Sequence, residues 1–164
     1  MQEILPVAKL LERLQAYPQR ISRALVGEVD WECAPAPGEW CLTEVVCHLR
    51  DVEREVHQPR FRALLTTDGA FLPGAVADEW VESRQYREQD GAQALTEFIE
   101  ARIGTIELLP NSTDPLWQRQ GQHAFFGPTS MHELLYLVVE HDQAHWEQIQ
   151  LLLEEGRRSR SDSA

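Results

Sequence analysis

Between Thr129 and about Glu155, apolar residues recur at Leu134, Val138, Ile149 and Leu152, and His141 and His145 fill the two places between them. The steps along this stripe are four, three, four, four and three residues, so every member lies on one face of an α-helix. This pattern constrains the fold more than any other. An apolar face that long needs a partner surface along its length, and two imidazoles stand where the pattern calls for leucines. Burying a polar group without a partner costs roughly 1–3 kcal/mol, so the two rings need a reason to be there.

Three other segments show the same period and supply the partners. The first runs from about Glu3 to Val26, with Val7, Leu10, Leu11, Leu14, Ile21 and Leu25 on one side. Pro18 lies inside it and predicts a kink or a restart. The second runs from about Cys41 to Leu65 on a stripe of Leu42, Val45, Leu49, Val52 and Val56, with Glu44 where a capping-box glutamate would stand. The third runs from about Asp90 to Leu108, with Leu95, Phe98, Ile99, Ile103 and Ile106 facing inward. For the fourth, Thr129 is the expected N-cap and Gly156 the expected C-cap. Strand-type alternation is nearly absent. The expected fold class is all-α, a four-helix bundle formed by residues 1–156 as one domain, with residues 157–164 a disordered tail. The connection from Thr66 to about Glu88 is long enough to cross over the bundle, and its Phe71, Trp80 and Tyr86 predict that it packs onto it.

His141 and His145, one helical turn apart, point the same way and can share a metal ion. A third ligand has to come from another helix. His48 flanks the apolar stripe of the second helix between Val45 and Val52, which makes it the best candidate. Three neutral imidazoles suit one divalent ion (zinc, nickel, iron or manganese) and leave positions open for water or substrate. Histidines satisfied within an ordinary core are the competing reading. Asp51, three residues after His48, is the candidate to orient that imidazole, with Glu44 behind it; ordinary solvation is the alternative for both. His57, nine residues past His48, falls on the outer side of an ideal helix and is expected in solvent. His132 is expected near the surface. His123 lies in the loop before the fourth helix, where it could fold over the mouth of a metal site. Glu140 and Asp142 flank His141 in sequence but point elsewhere on an ideal helix.

The formal charge of −12 argues against nucleic-acid binding, and no apolar run reaches the roughly 20 residues of a membrane span. The N-terminus lacks the basic and apolar regions of a secretory signal, so a cytoplasmic location is expected. Cys33, Cys41 and Cys47 are an odd number without paired spacing, and they read as reduced thiols.

Taken together, these segments resemble a known family. The run Trp40-Cys41-Leu42-Thr43-Glu44-Val45-Val46-Cys47-His48-Leu49-Arg50-Asp51-Val52-Glu53 resembles the W-S-x-x-E-x-x-x-H-L-x-D-x-E signature of the DinB-like superfamily. Gly127-Pro128-Thr129, Glu133-Leu134-Leu135, His141-Asp142-Gln143-Ala144-His145 and Gln148-Ile149 resemble its C-terminal half, and Tyr86 and the Phe98 to Arg102 spacing also fit. The resemblance runs from about Leu5 to Leu153. Cys41, where the family usually has serine, is a departure at a cap, not at a ligand. The resemblance implies an up-down-down-up bundle with the long crossover between its second and third helices, a metal triad at His48, His141 and His145, and a homodimer. It also implies a metal-dependent enzyme acting on a small molecule. Similar proteins include S-transferases that use the low-molecular-weight thiol bacillithiol and a mycothiol-dependent isomerase. In that chemistry the nucleophile is a thiol cosubstrate, or water in a hydrolytic variant. A non-catalytic metal-binding stress-response protein is the alternative, and a plain bundle with histidines in its core the third reading.

Overall fold

The computed structural model describes residues 4–162. Four long helical runs carry the fold. The first, α1, spans Val7–Ala24 and continues through Pro18, burying Leu10, Leu14, Tyr17 and Ile21. The second run is α2 (Leu42–Val52), a π-helical turn (Glu53–His57) and α3 (Gln58–Thr66). Pro59 lies in the first turn of α3 and has no N–H to give the Glu55 carbonyl, which an ideal helix would require. The chain accommodates the missing bond with one wider turn: Gln58 N–H donates five residues back, to the Glu53 carbonyl. The Cys41 N–H donates to Glu44 Oε2 at 2.7 Å, so Glu44 caps α2, and it also pairs with Arg87 at 2.8 Å.

After α3 the chain makes β1 (Phe71–Leu72), a short helix α4 (Trp80–Ser83) and a turn that buries Tyr86. The third long run is α5 (Gly91–Leu108), capped by Asp90, whose side chain accepts from the Gln93 N–H. Its inward face differs from the apolar stripe expected. Arg102 and Thr105 are fully buried, while Ile103 is 48% exposed. Strands β2 (Gln120–His123) and β3 (Gly127–Ser130) follow as an antiparallel hairpin, and β1 joins β2 in parallel. The fold is therefore mostly helical with a small sheet, not all-α. Strands of two and four residues are too short to show an alternating pattern. Their pairing depends on contacts made in space: at Gly121 a Cβ would stand 2.6 Å from the Ala70 carbonyl oxygen, and Arg119 donates to the carbonyls of Leu64 and Leu65 at the end of α3.

The last run, α6, spans Met131–Asp162. Its cap is Ser130 instead of Thr129: Ser130 and Glu133 exchange bonds between side chain and backbone, while Thr129 lies within strand β3. Nor does the helix stop at Gly156. It runs through Arg157, Arg158 and Arg160, with Arg158 paired to Glu155 at 2.6 Å and Arg160 reaching the Glu28 carbonyl at 3.3 Å. Of the tail expected to be disordered, residues 157–162 are helical, and residues 163–164 lie outside the described residues.

α2 packs mainly on α5, and α1 on α6. The apolar core divides into two clusters. One gathers Leu42 to Leu49 with Phe98, Trp146 and Ile149; the other gathers Leu10, Leu14, Phe61 and Leu64 with Leu134 to Val139. Between them α2–α3, α5 and α6 each place polar residues: Glu53 and His57, Arg102 and Thr105, His141, Asp142 and His145. This polar waist is where the histidines meet.

Candidate metal centre

His48 stands near the end of α2, and His141 and His145 lie one turn apart on α6. The structure brings all three together, with one ring nitrogen of each within 4.8 Å of the others. His48 Nε2 and His141 Nε2 are 3.2 Å apart. Nitrogens held at roughly 2.0–2.1 Å from a tetrahedral zinc lie about 3.3 Å apart, so this pair already has the spacing of a shared ion. His145 Nδ1 contacts Gln148 Oε1 at 2.9 Å, which fixes the tautomer that leaves Nε2 free. Trp40 stacks on His145 at 6.2 Å between ring centroids, with planes 8° apart.

Burial pushes the His48 pKa down to about 3, assisted by His145. Burial also lowers His141 well below the ordinary histidine value, and lowers His145. All three are therefore neutral and have lone pairs to offer. His48 Nδ1 and His141 Nδ1 are buried without a hydrogen-bond partner. Uncharged imidazoles with converging nitrogens fit a divalent ion. Among the described residues, no cysteine or carboxylate completes the group.

Asp51 makes no hydrogen bond to His48. Its carboxylate accepts from Arg50 at 2.7 Å, Arg84 at 2.8 Å and the Tyr86 hydroxyl at 2.7 Å. These charged donors outcompete a neutral imidazole. His57 is corrected more sharply: it is only 6% exposed and sets its ring edge-on against His141 at 5.2 Å. Nine residues turn an ideal helix by about half a circle beyond whole turns, but the π-helical turn absorbs one residue and brings His57 to the inner side. Its Nδ1 meets Glu53 Oε2 at 3.0 Å. Asp142 is likewise buried, accepting from both terminal nitrogens of Arg102 at 2.5 and 2.9 Å. Arg102 also donates to Glu53 at 2.8 Å, and the Thr105 hydroxyl donates to the same carboxylate. Burial works against the charge of both Glu53 and Arg102, yet their pairing holds Glu53 well below the usual carboxylate range and keeps Arg102 charged. Glu140 is exposed, as expected, and His132 Nε2 meets the Leu5 carbonyl at 2.8 Å.

The three histidines line a cavity of about 830 Å³. Trp40, His57 and Arg60 line it from the α2–α3 side, His123, Phe125 and Phe126 from the hairpin, and Ala75 to Asp78 from the connection after β1. Hairpin and connection meet closely, because Phe125 lies over Gly74, where a Cβ would fall 2.4 Å from its ring. His123 thus joins the cavity although it does not join the triad. None of the three free cysteines lines it.

Helical runs that place three neutral histidines in an open cavity define the class: a bundle with a candidate metal centre. The sequence matches the model of the DinB superfamily over residues 9–149, and the chain belongs to that superfamily. Among solved structures it is similar to YfiT from Bacillus subtilis, described as a probable metal-dependent hydrolase with an unusual four-helix bundle topology. The TM-score is 0.79 at 22% identity, over 97% of this chain and 91% of that one. No curated protein matches the sequence. No described helix is long and apolar enough to cross a membrane.

Proposed function

We propose that the chain is a metal-dependent enzyme that activates a nucleophile from solution against a small-molecule substrate. The observation that carries this reading is the convergence of His48, His141 and His145, neutral and incompletely bonded, on an open cavity. A divalent ion held there supplies Lewis-acid chemistry, polarising the substrate and lowering the pKa of the attacking water or thiol. The protein holds and orients its ligands: Gln148 fixes His145, Trp40 stacks on it, and His57 braces His141. Phe125, Phe126, Val56 and Val138 offer apolar surface to the substrate body.

No cysteine lines the cavity, and none is required if the nucleophile is water or a thiol cosubstrate. Hydrolysis is the reading we favour, with water in that role, in keeping with the description of YfiT. Transfer to a low-molecular-weight thiol such as bacillithiol is the second reading, because the same geometry accepts a thiol. A non-catalytic metal-binding stress-response protein is less well supported, since among the described residues the cluster lacks the fourth protein ligand that closes a structural site.

The test is elemental mass spectrometry of untagged protein, wild type against His145→Ala, followed by ester, amide and thiol-transfer substrates. One equivalent of metal, lost in the variant while the helical signal survives, supports the site. A protein that takes up no zinc, nickel, iron or manganese refutes it. A metal-loaded protein inert towards every substrate class leaves the non-catalytic metal-binding reading in place of the enzyme.

A further inference from the structure

The cavity holds one cation that the metal reading does not use. Arg60, on α3, is half-buried at the cavity wall. Among the described residues its one hydrogen bond is from Nη2 to the Pro73 carbonyl, at 2.6 Å. Among the described residues it forms no ion pair. The chain has 27 acidic residues against 15 lysines and arginines, so carboxylates are plentiful, yet among the described residues none pairs with this guanidinium. Desolvating a charge without a partner is unfavourable, and a guanidinium carries five donors of which the Pro73 contact uses one.

His123 lines the same cavity and is 3% exposed. Its Nδ1 accepts the Phe125 N–H at 3.1 Å, so in the neutral ring the proton is on Nε2. That Nε2 is buried and has no partner. The charge of Arg60 acts on this ring, after burial, to keep it neutral. Two donor groups therefore share one end of the cavity without an acceptor between them. Apolar side chains line the cavity with them, Val56 from the helical run and Phe125 and Phe126 from the hairpin.

We propose that Arg60 and His123 form an anion-binding subsite of this cavity, and that its ligand is a small organic carboxylate with an apolar body. The inference rests on the cavity being the substrate site proposed above. One guanidinium and one neutral imidazole balance a single negative charge, which favours a carboxylate over a phosphate dianion. The bidentate fork of the guanidinium fits its two oxygens. Orientation follows from the charges. Arg60 is three residues, about 4.5 Å along the axis, beyond His57, whose ring touches His141. The acidic lining residues Glu39 and Asp78 border Trp40 and His145 instead. The carboxylate thus lies at the hairpin end, and the apolar body leads back towards the histidines.

Calorimetric titration of the full-length protein, after incubation with zinc, tests the subsite. The probes are octanoate and 4-phenylbutyrate, each against its neutral primary amide. Wild type should bind at least one acid about tenfold or more tighter than its amide. Arg60→Gln should abolish the preference, Arg60→Lys should keep part of it, and Arg62→Gln, at an exposed position on the same helix, should leave it intact. Amides that bind as tightly as both acids overturn the inference. So does a preference that survives in Arg60→Gln, since the anion then lies elsewhere, for instance at the histidines. Zinc content measured on the same samples separates the two readings. One equivalent of zinc without acid preference sinks the subsite alone. Acid preference that depends on Arg60, in a protein that binds no zinc, sinks the metal site alone.

Discussion

On one side of α6, Asp142 takes both terminal nitrogens of Arg102, which shares Glu53 with Thr105 and His57. On the other side, His141 and His145 meet His48 with ring nitrogens turned towards one another. Both clusters occupy the polar waist between the two apolar cores. The first bonds its own atoms: one arginine bridges two carboxylates, burial raises the Asp142 pKa, and only Arg102 Nε lacks a partner. The second turns three ring nitrogens towards one another and, among the described residues, gives them no carboxylate. Buried polar groups that satisfy one another hold a fold in register. Buried polar groups that do not, beside an open cavity, mark where a ligand belongs.

The largest expected effect breaks the first cluster. Arg102→Met leaves Glu53 and Asp142 buried without their cation, and we expect a loss of about 3–5 kcal/mol in urea unfolding. His141→Ala, in chelator-treated protein, removes a ring that faces a cavity and should cost about 1 kcal/mol. Equal losses in the two variants would erase the distinction between the clusters.

Next in size is the ligand's own contribution. Zinc at a thousand times its dissociation constant should stabilise the folded protein by about 4 kcal/mol, seen as a higher unfolding midpoint. His145→Ala should abolish that shift, and Arg62→Gln should not change it. A midpoint unmoved by zinc in the wild type would place the histidines among the core residues.

Acid gives a smaller effect of defined sign. In metal-free protein the His48 pKa is about 3, below the ordinary value near 6.5. Between those values the unfolded chain binds a proton that the folded one refuses. Stability is therefore complete above pH 6.5 and falls as the pH drops towards 3. At pH 5 the loss for one such histidine is about 2 kcal/mol. Thermal unfolding from pH 7.5 to 5 measures it against His48→Gln, whose curve should be flatter. Parallel curves would show that His48 is not held neutral by the fold.

The period of the apolar residues marked all four helical runs, and the histidines could be read because they interrupt a stripe that otherwise holds leucine, valine and isoleucine. What escaped was whatever an ideal helix conceals. His57 was placed outside by the 3.6-residue repeat, and the one available signal was Pro59, which forbids a regular bond near that position. Asp142 seemed to face away because it is adjacent to His141, yet a second interior surface lies there, created by Arg102 from another helix. A buried arginine and its carboxylates look like ordinary surface charge until the chain is folded. The short strands escaped for the related reason that their pairing partners are distant in sequence.

The smallest effect concerns how His145 and His48 are held. Gln148→Ala removes the acceptor on His145 Nδ1, and loss of such an orienting contact typically weakens metal binding about 10–100-fold. We expect the lower end, because Trp40 still stacks on the ring. Asp51→Asn should leave zinc affinity unchanged within about twofold, since its carboxylate serves Arg50, Arg84 and Tyr86 and its loss is felt as stability. Competition with a chromogenic zinc chelator reads both. A tenfold loss in Asp51→Asn with none in Gln148→Ala would reverse the assignment: Asp51 would then steer His48 when metal is bound, and the Gln148 contact would be incidental.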